Sequence, residues 1–383
     1  MKKILALLLA GLLTLSIVSC GNKKEDDDND NEKETAVVDL NYIEESTGKG
    51  KFKYDLVDGE YVITKYEPYS VTAADITLPN EINGRDIIGI AANAFKEAAS
   101  TIKSVTVPST YTSIGEYAFY DCDALVSVSL PDTLTEIGNS AFESCDVLSS
   151  FKMPSGVKVI SKYAFKDCKS LKALDLSSVT EIKKGAFLNC SALESLTVSD
   201  KIEYATKEAF YGCDALVYNV EADLKYLGND ANKTVLLVAS KSLNVEECVV
   251  SATTKVIADA AFNNCEYLTK ITLSDSVKVI NGTSFVGCPE LKYNKSENGL
   301  YLGSEANPYL ALIEVDISSV EDFKLNKDTK IIAATAFAKC TALEDIGFDG
   351  TEAEWNSIIK SADWNGDLTV SVTCSDKVVT VLG

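Results

Sequence analysis

Ile114–Pro131 reads IGEYAFYDCDALVSVSLP and Ile137–Pro154 reads IGNSAFESCDVLSSFKMP. The two stretches share one frame: Ile-x4-Phe-x2-Cys-x2-Leu-x2-apolar-x-apolar-Pro. Outward from this pair the frame recurs along most of the chain. Its Phe stands at Phe95, Phe119, Phe142, Phe165, Phe187, Phe210, Phe262, Phe285 and Phe337, with successive spacings of 24, 23, 23, 22, 23, 52, 23 and 52. Five residues before each Phe stands an Ile, replaced once by Ala205. Three residues after it stands a Cys, replaced in the first turn by Ala98, and a Leu follows three residues beyond each Cys.

A unit of about 23 residues is too small to bury its own apolar side. Stacked on its neighbours, it places each Phe, Cys, Leu and Ile in a continuous column. The Leu-x2-Val-x-Leu segment alternates like a half-buried strand, so neighbouring turns form a parallel ladder with strands ~4.8 Å apart. The stretch before Cys, such as GNSAFESC, reads as a short helical turn on the other side. The fold that follows is an α/β solenoid of stacked turns, rich in β-strand.

The AFxxCxxL core of the frame resembles the BspA-type leucine-rich repeat over roughly residues 74–345. The resemblance implies an α/β leucine-rich-repeat solenoid, curved and right-handed, of the kind carried by exported bacterial proteins that adhere or bind partners. It also implies hairpin islands within the array. Two enlarged repeats, at about 217–256 and 292–331, fit that description. Each has a Tyr-Leu-Gly run, at Tyr226-Leu227-Gly228 and Tyr301-Leu302-Gly303, before an apolar strand-like segment. Such an insertion is either a binding protrusion or a tolerated surface elaboration.

The flanks differ from the array. Residues 1–19 read as a lipoprotein signal peptide: Lys2 and Lys3 precede an apolar stretch ending in Ile17-Val18-Ser19-Cys20-Gly21, and Cys20 is the expected lipidation site. Residues 20–36 form an acidic tether. Its stretch Gly21–Ala36 holds seven acids, three lysines and no large apolar residue, so it cannot support a core. Residues 37–73 read as an N-terminal β-hairpin cap turning at Asp58-Gly59. Residues 346–383 read as a helix-hairpin cap. A capping box is expected at Thr351–Glu354 and a hairpin about Ser375-Asp376. Both tryptophans, Trp355 and Trp364, lie in this cap and serve either packing or a carbohydrate platform.

Composition narrows the function. The net charge is −21, from 36 basic and 57 acidic residues; removal of Lys2 and Lys3 with the signal gives 34 − 57 = −23. An acidic surface of this size speaks against nucleic acid and against polybasic membrane binding, so the membrane is met only through the N-terminal lipid. The chain has no histidine, which removes the commonest general base and metal ligand. No metal, cofactor or catalytic residue is expected. Eight of the cysteines share one phase of the repeat and read as a buried row of reduced thiols, with Cys248 and Cys374 outside it.

Function is therefore expected on the exterior. The outward residues of the strand segments are Ser104, Thr106, Ser127, Ser129, Ser150, Lys152, Ala173, Asp175, Ser195, Thr197, Lys270 and Thr272. This small, polar, hydroxyl-rich face is the candidate binding surface. Its expected partner is an extracellular or host protein, with a glycan of the envelope as the alternative. The expected location is the cell envelope, as a surface-exposed, membrane-anchored lipoprotein.

Overall fold

The computed structural model describes residues 42–221, 224–228, 233–239, 246–316, 320–361, 363–365 and 368–381. Cys20 and the tether lie outside the described residues. The array begins with an antiparallel meander of Tyr42–Glu44, Gly50–Val57 and Glu60–Pro68. Asp58 and Gly59 both have positive φ, 51° and 86°, the geometry of a tight turn whose twist matches the flanking strands. The third strand then pairs in parallel with Arg85–Ile90, setting Ile63 opposite Ile90.

From there most turns contribute to two ladders. The isoleucine ladder runs through short rungs: Ser113–Ile114, Glu136–Ile137, Val159–Ile160, Glu181–Ile182, Tyr204–Ala205, Val256–Ile257, Val279–Ile280, Ile331–Ile332 and Ile359–Lys360. Its register sets Ile114 opposite Ile90, and Ile137 opposite Ile114. The second, or hydroxyl, ladder runs through Ala74–Thr77, Ile102–Thr106, Ser127–Ser129, Ser150–Phe151, Ala173–Leu176 and Ser195–Val198, then Glu247–Val249 and Lys270–Thr272, then Asp322–Leu325, Asp345–Phe348 and Val370–Thr373. Within these ladders the neighbouring turns pair in parallel and in phase, so equal positions of the repeat stack.

The columns lie between the ladders. Phe95, Phe119, Phe142, Phe165, Phe187 and Phe210 stack with centroids 4.6–5.7 Å apart and planes within 26° of parallel. Each such pair adds about 0.5–1.5 kcal/mol beyond its buried area. The rings are held in line by the backbone. Phe119 N–H donates to the Ala141 carbonyl and Phe142 N–H to Ala164, at 2.8 and 2.9 Å. The cysteine column is satisfied the same way. Cys145, Cys168, Cys190, Cys213 and Cys288 each donate S–H to the carbonyl of a Phe in an earlier turn, at 3.0–3.2 Å. All ten described cysteines are buried, and none of them forms a disulfide.

The stretch before Cys forms a run of tight turns. Ala118 N–H donates to Gly115, Tyr120 to Tyr117, Cys122 to Phe119 and Leu125 to Cys122. Two positions per turn prevent a regular helix. Tyr117, Ser140 and Tyr163, two residues before Phe, have φ of 53–58°, and Asp121, Asp167 and Asn189, just before Cys, have φ of 59–62°. A left-handed residue ends a right-handed helix. Among the described residues only Lys96–Thr101 and Lys207–Phe210 complete a 3-10 helix.

The enlarged repeats are three-stranded meanders rather than simple hairpins: Asn219–Glu221, Leu224–Leu227 and Val235–Ala239, then Asn294–Ser296, Gly299–Leu302 and Ala311–Val315. Both copy the N-terminal cap. The middle strand carries a bulge beside a tyrosine (Tyr54, Tyr226 or Tyr301), and the third strand enters the isoleucine ladder in parallel. At the far end, Glu352–Ser357 is an α-helix with the Thr351/Glu354 capping box formed, and Val370–Thr373 pairs antiparallel with Val378–Val381.

Candidate binding surface

The hydroxyl ladder presents its outward residues in rows. Ser104 stands opposite Ser127, Ser127 opposite Ser150, and Thr106 opposite Ser129. Ala173 and Asp175 stand opposite Ser195 and Thr197. Thr106, Ser129, Ser150, Lys152, Asp175, Ser195, Thr197 and Lys270 are exposed, and Ser104, Ser127 and Thr272 partly so. Period-two alternation sends Val105, Val128, Phe151 and Leu174 inward, which fixes the polar residues outward.

The structure does not bring all the expected residues into one continuous sheet. The ladder loosens between Ser150–Phe151 and Ala173–Leu176, which belong to separate sheets. A shallow depression of about 530 Å³ opens there, lined by Ser129, Ser150, Phe151, Lys152, Lys172 and Ala173. Phe151 forms its buried side and packs edge-on against Phe142 and Phe165, at 5.2 and 4.7 Å. Lys270 and Thr272 stand apart on a two-stranded sheet. Between the halves, Thr197 faces Gly228, Thr234 and Thr253 across a gap of about 410 Å³, so the first meander walls the face.

Most hydroxyls here lie beside strand residues of like kind. Ser104 donates to the Asp75 carboxylate at 2.7 Å, which holds that carboxyl below its usual range. The Asp175 carboxylate accepts from the Ser177 backbone N–H at 3.0 Å. Lys270 lies 3.5 Å from Glu247 on the next rung. Among the described residues no group of three His, Cys, Asp or Glu side chains is placed to hold a metal. The arrangement offers hydrogen bonds and scattered charge over a broad, shallow area, which suits a macromolecular partner better than an enclosed small molecule.

The same outward positions continue in later turns as Asp322, Lys324, Asp345, Gly347 and Thr373, which the sequence reading omitted. They line a second depression of about 540 Å³ with Glu297 and Asn298 of the second meander. Thr373 donates to Asp345 at 2.9 Å, and Lys324 pairs with Asp349 at 3.0 Å. The phase of the repeat was the signal that could have found them. The tryptophans provide no platform. Trp355 and Trp364 are 2% and 8% exposed and pack on each other at 5.9 Å, so a sugar cannot stack on either.

The model of the BspA type leucine rich repeat region matches residues 88–217, 239–307 and 315–362, in six copies. Among solved structures, the chain is similar to a leucine-rich repeat protein of T. pallidum at 26% identity, over 63% of this chain and 88% of that one, with a TM-score of 0.38. It is similar to a leucine-rich cell surface protein of Faecalibacterium prausnitzii at 23% identity, over 81% and 96%, with a TM-score of 0.39. It is also similar to a leucine-rich repeat protein of Bacteroides ovatus at 18% identity, over 87% and 98%, with a TM-score of 0.43. Among curated proteins none matches the chain.

Proposed function

Because the chain belongs to the BspA-type leucine-rich repeat family, we propose that it is a non-catalytic binding module of the cell envelope. It is held by lipid at Cys20 and docks an extracellular or host protein on its hydroxyl ladder. The observation that carries this reading is the in-phase row of exposed small polar side chains from Ser104 to Thr197, set on buried apolar neighbours that keep it rigid. A rigid, pre-shaped face reduces the ordering cost of association. The depression over Phe151 gives a partner's side chain somewhere to enter, which a flat face lacks.

The test is a screen of immobilised matrix and plasma proteins with the full chain, followed by Ser129→Arg and Ser150→Arg. Saturable binding that both variants reduce at least about tenfold, with thermal stability unchanged, is the expected result. Absence of any ligand, or ligands indifferent to both variants, removes this face as the site. Anchoring is tested separately: palmitate labelling of the wild type should vanish in Cys20→Ser, and labelling that persists removes the lipid at Cys20.

A further inference from the structure

A groove of about 880 Å³ crosses the isoleucine ladder, on a different sheet from the hydroxyl face. Six of its lining residues are lysines: Lys162, Lys183, Lys201, Lys255, Lys278 and Lys360. Four are acids, Glu181, Asp200, Glu203 and Asp363. The local balance is 6 − 4 = +2 on a chain whose net charge is −21. Lys183 pairs with Glu181, and Lys255 with Asp200 at 3.7 Å. Lys162, Lys201 and Lys278 are exposed and make no ion pair among the described residues.

Two of these lysines occupy a position where the fold has a better-satisfied choice. Two residues before the ladder Ile, earlier turns carry Thr112, Thr135 and Thr180, whose hydroxyls each donate to a carbonyl of the preceding rung, at 3.2–3.3 Å. Lys158 takes that place in one earlier turn, and Lys255, Lys278 and Lys330 take it in later ones; of these, Lys255 and Lys278 line the groove. They sit on adjacent rungs, joined by the Lys278 N–H to Lys255 carbonyl bond of 2.8 Å. Like charges on neighbouring rungs are unfavourable; Asp200 pairs with Lys255 and leaves Lys278 exposed and without an ion pair among the described residues.

The backbone of the groove floor is already used. Glu203 N–H donates to Thr180, and Thr180 N–H to Lys158, at 2.7 and 2.8 Å. The charged donors that the groove offers a ligand are ammonium groups, which act as point charges. The groove takes its lining from six turns that belong to three separate sheets, a breadth of contact that suits a polymer better than a single anion.

We propose that this groove binds an acidic polysaccharide, with Lys162, Lys201 and Lys278 contacting its carboxylate or sulfate groups. The site is separate from the hydroxyl face and stands or falls independently of it. The test titrates the full chain by calorimetry with polygalacturonate and with dextran sulfate, against neutral dextran and a single-stranded DNA of matched charge. The expected result is saturable binding of an acidic glycan and none of neutral dextran. The triple variant Lys162→Gln/Lys201→Gln/Lys278→Gln should weaken it about tenfold or more. All three side chains are exposed, so an unchanged melting temperature confirms that the variant folds. The control Lys152→Gln/Lys172→Gln/Lys324→Gln, on the hydroxyl face, should leave glycan affinity within twofold. No binding of either acidic glycan, equal loss in both triple variants, or tighter binding of the DNA would each overturn the proposal.

Discussion

Alkaline pH should dismantle this protein through its cysteine column. Burial raises the thiol pKa of Cys122, Cys145, Cys168 and Cys190 far above its usual value, and pushes those of Cys213 and Cys248 up to about 12. In the unfolded chain the same thiols titrate near ~8.5. The folded values are the higher ones, so this contribution is complete below the unfolded pKa and is lost as pH rises above it. Each thiol then costs about 1.4 kcal/mol per pH unit, and the six together about 8. Between pH ~8.5 and ~10.5 the loss reaches about 14 kcal/mol, near the top of the range for the whole stability of a domain. Two groups oppose it. The hydrogen bond with Cys265 holds the Cys288 thiol below its usual value while it raises that of Cys265, and burial lowers the Lys360 amine to about 8, so the unfolded chain binds an extra proton above that pH; neither group offsets six thiols. The assay is far-UV circular dichroism against pH in the presence of reductant. Loss of structure is expected before pH ~10.5, reversible on return to neutrality. In Cys168→Ala/Cys190→Ala the fall in stability from pH 9 to 10 should be shallower by about 2.7 kcal/mol per unit, although the variant is weaker at pH 7. A variant with an unchanged slope, or a wild type intact at pH 11, refutes the reasoning.

Phe165 is fully buried between Phe142 and Phe187, at 5.5 and 5.7 Å; Phe165→Ala should cost about 3–5 kcal/mol in denaturant unfolding, and a cost below about 1 would show that the column does not hold the turns together. The Tyr226 and Tyr301 hydroxyls accept from the backbone N–H of Ser251 and Asn326, each at 3.2 Å, so Tyr226→Phe and Tyr301→Phe should each cost about 1–3 kcal/mol by thermal melting. Thr351→Ala removes the hydroxyl that accepts from Glu354 N–H at 3.3 Å and should cost about 1 kcal/mol, which a matched denaturation curve resolves.

The columns were legible because each depends on one residue at a fixed phase, and Phe, Cys, Leu and Ile do not drift from it. The tight turns were not. A left-handed backbone is read from glycine or asparagine, and Tyr117 and Tyr163 hold it with side chains that give no such signal. Tyr163 does so where its ring covers Gly185, within 2.3 Å of where a Cβ would stand. The kinship of the N-terminal cap to the two meanders was hidden because Tyr54 lacks the Leu-Gly that follows Tyr226 and Tyr301. The hydroxyl face could be traced by alternation alone. The lysine groove could not, since Lys162 and Lys360 meet only once the intervening turns are stacked.

The second meander also divides the interior. Leu310, Ala311, Ile331 and Ala333 belong to the large apolar core that begins at Phe52, while Tyr301, Leu312 and Ile332 belong to a smaller one that ends at Cys374. Ala311 and Leu312 are consecutive, as are Ile331 and Ile332, so strand alternation sends one of each pair to each core. This sheet is therefore a wall between two packed bodies. Across it the polypeptide is tied by the Ala334 N–H to Ile280 carbonyl bond of 3.0 Å and by Ile280 N–H donating to the Ser361 hydroxyl at 3.2 Å. In an array stabilised by nearest-neighbour contacts, such a wall limits how far a local defect spreads. Leu312→Ala, at a fully buried position, should cost about 2–5 kcal/mol. That cost should appear in the terminal body alone. Native-state hydrogen exchange should then show loss of protection at the amides of Phe323, Ile346 and Val372, while those of Val105, Val128 and Leu174 keep theirs. Uniform loss in both sets would mean that the two cores unfold as one and that the meander transmits the defect it is argued to contain.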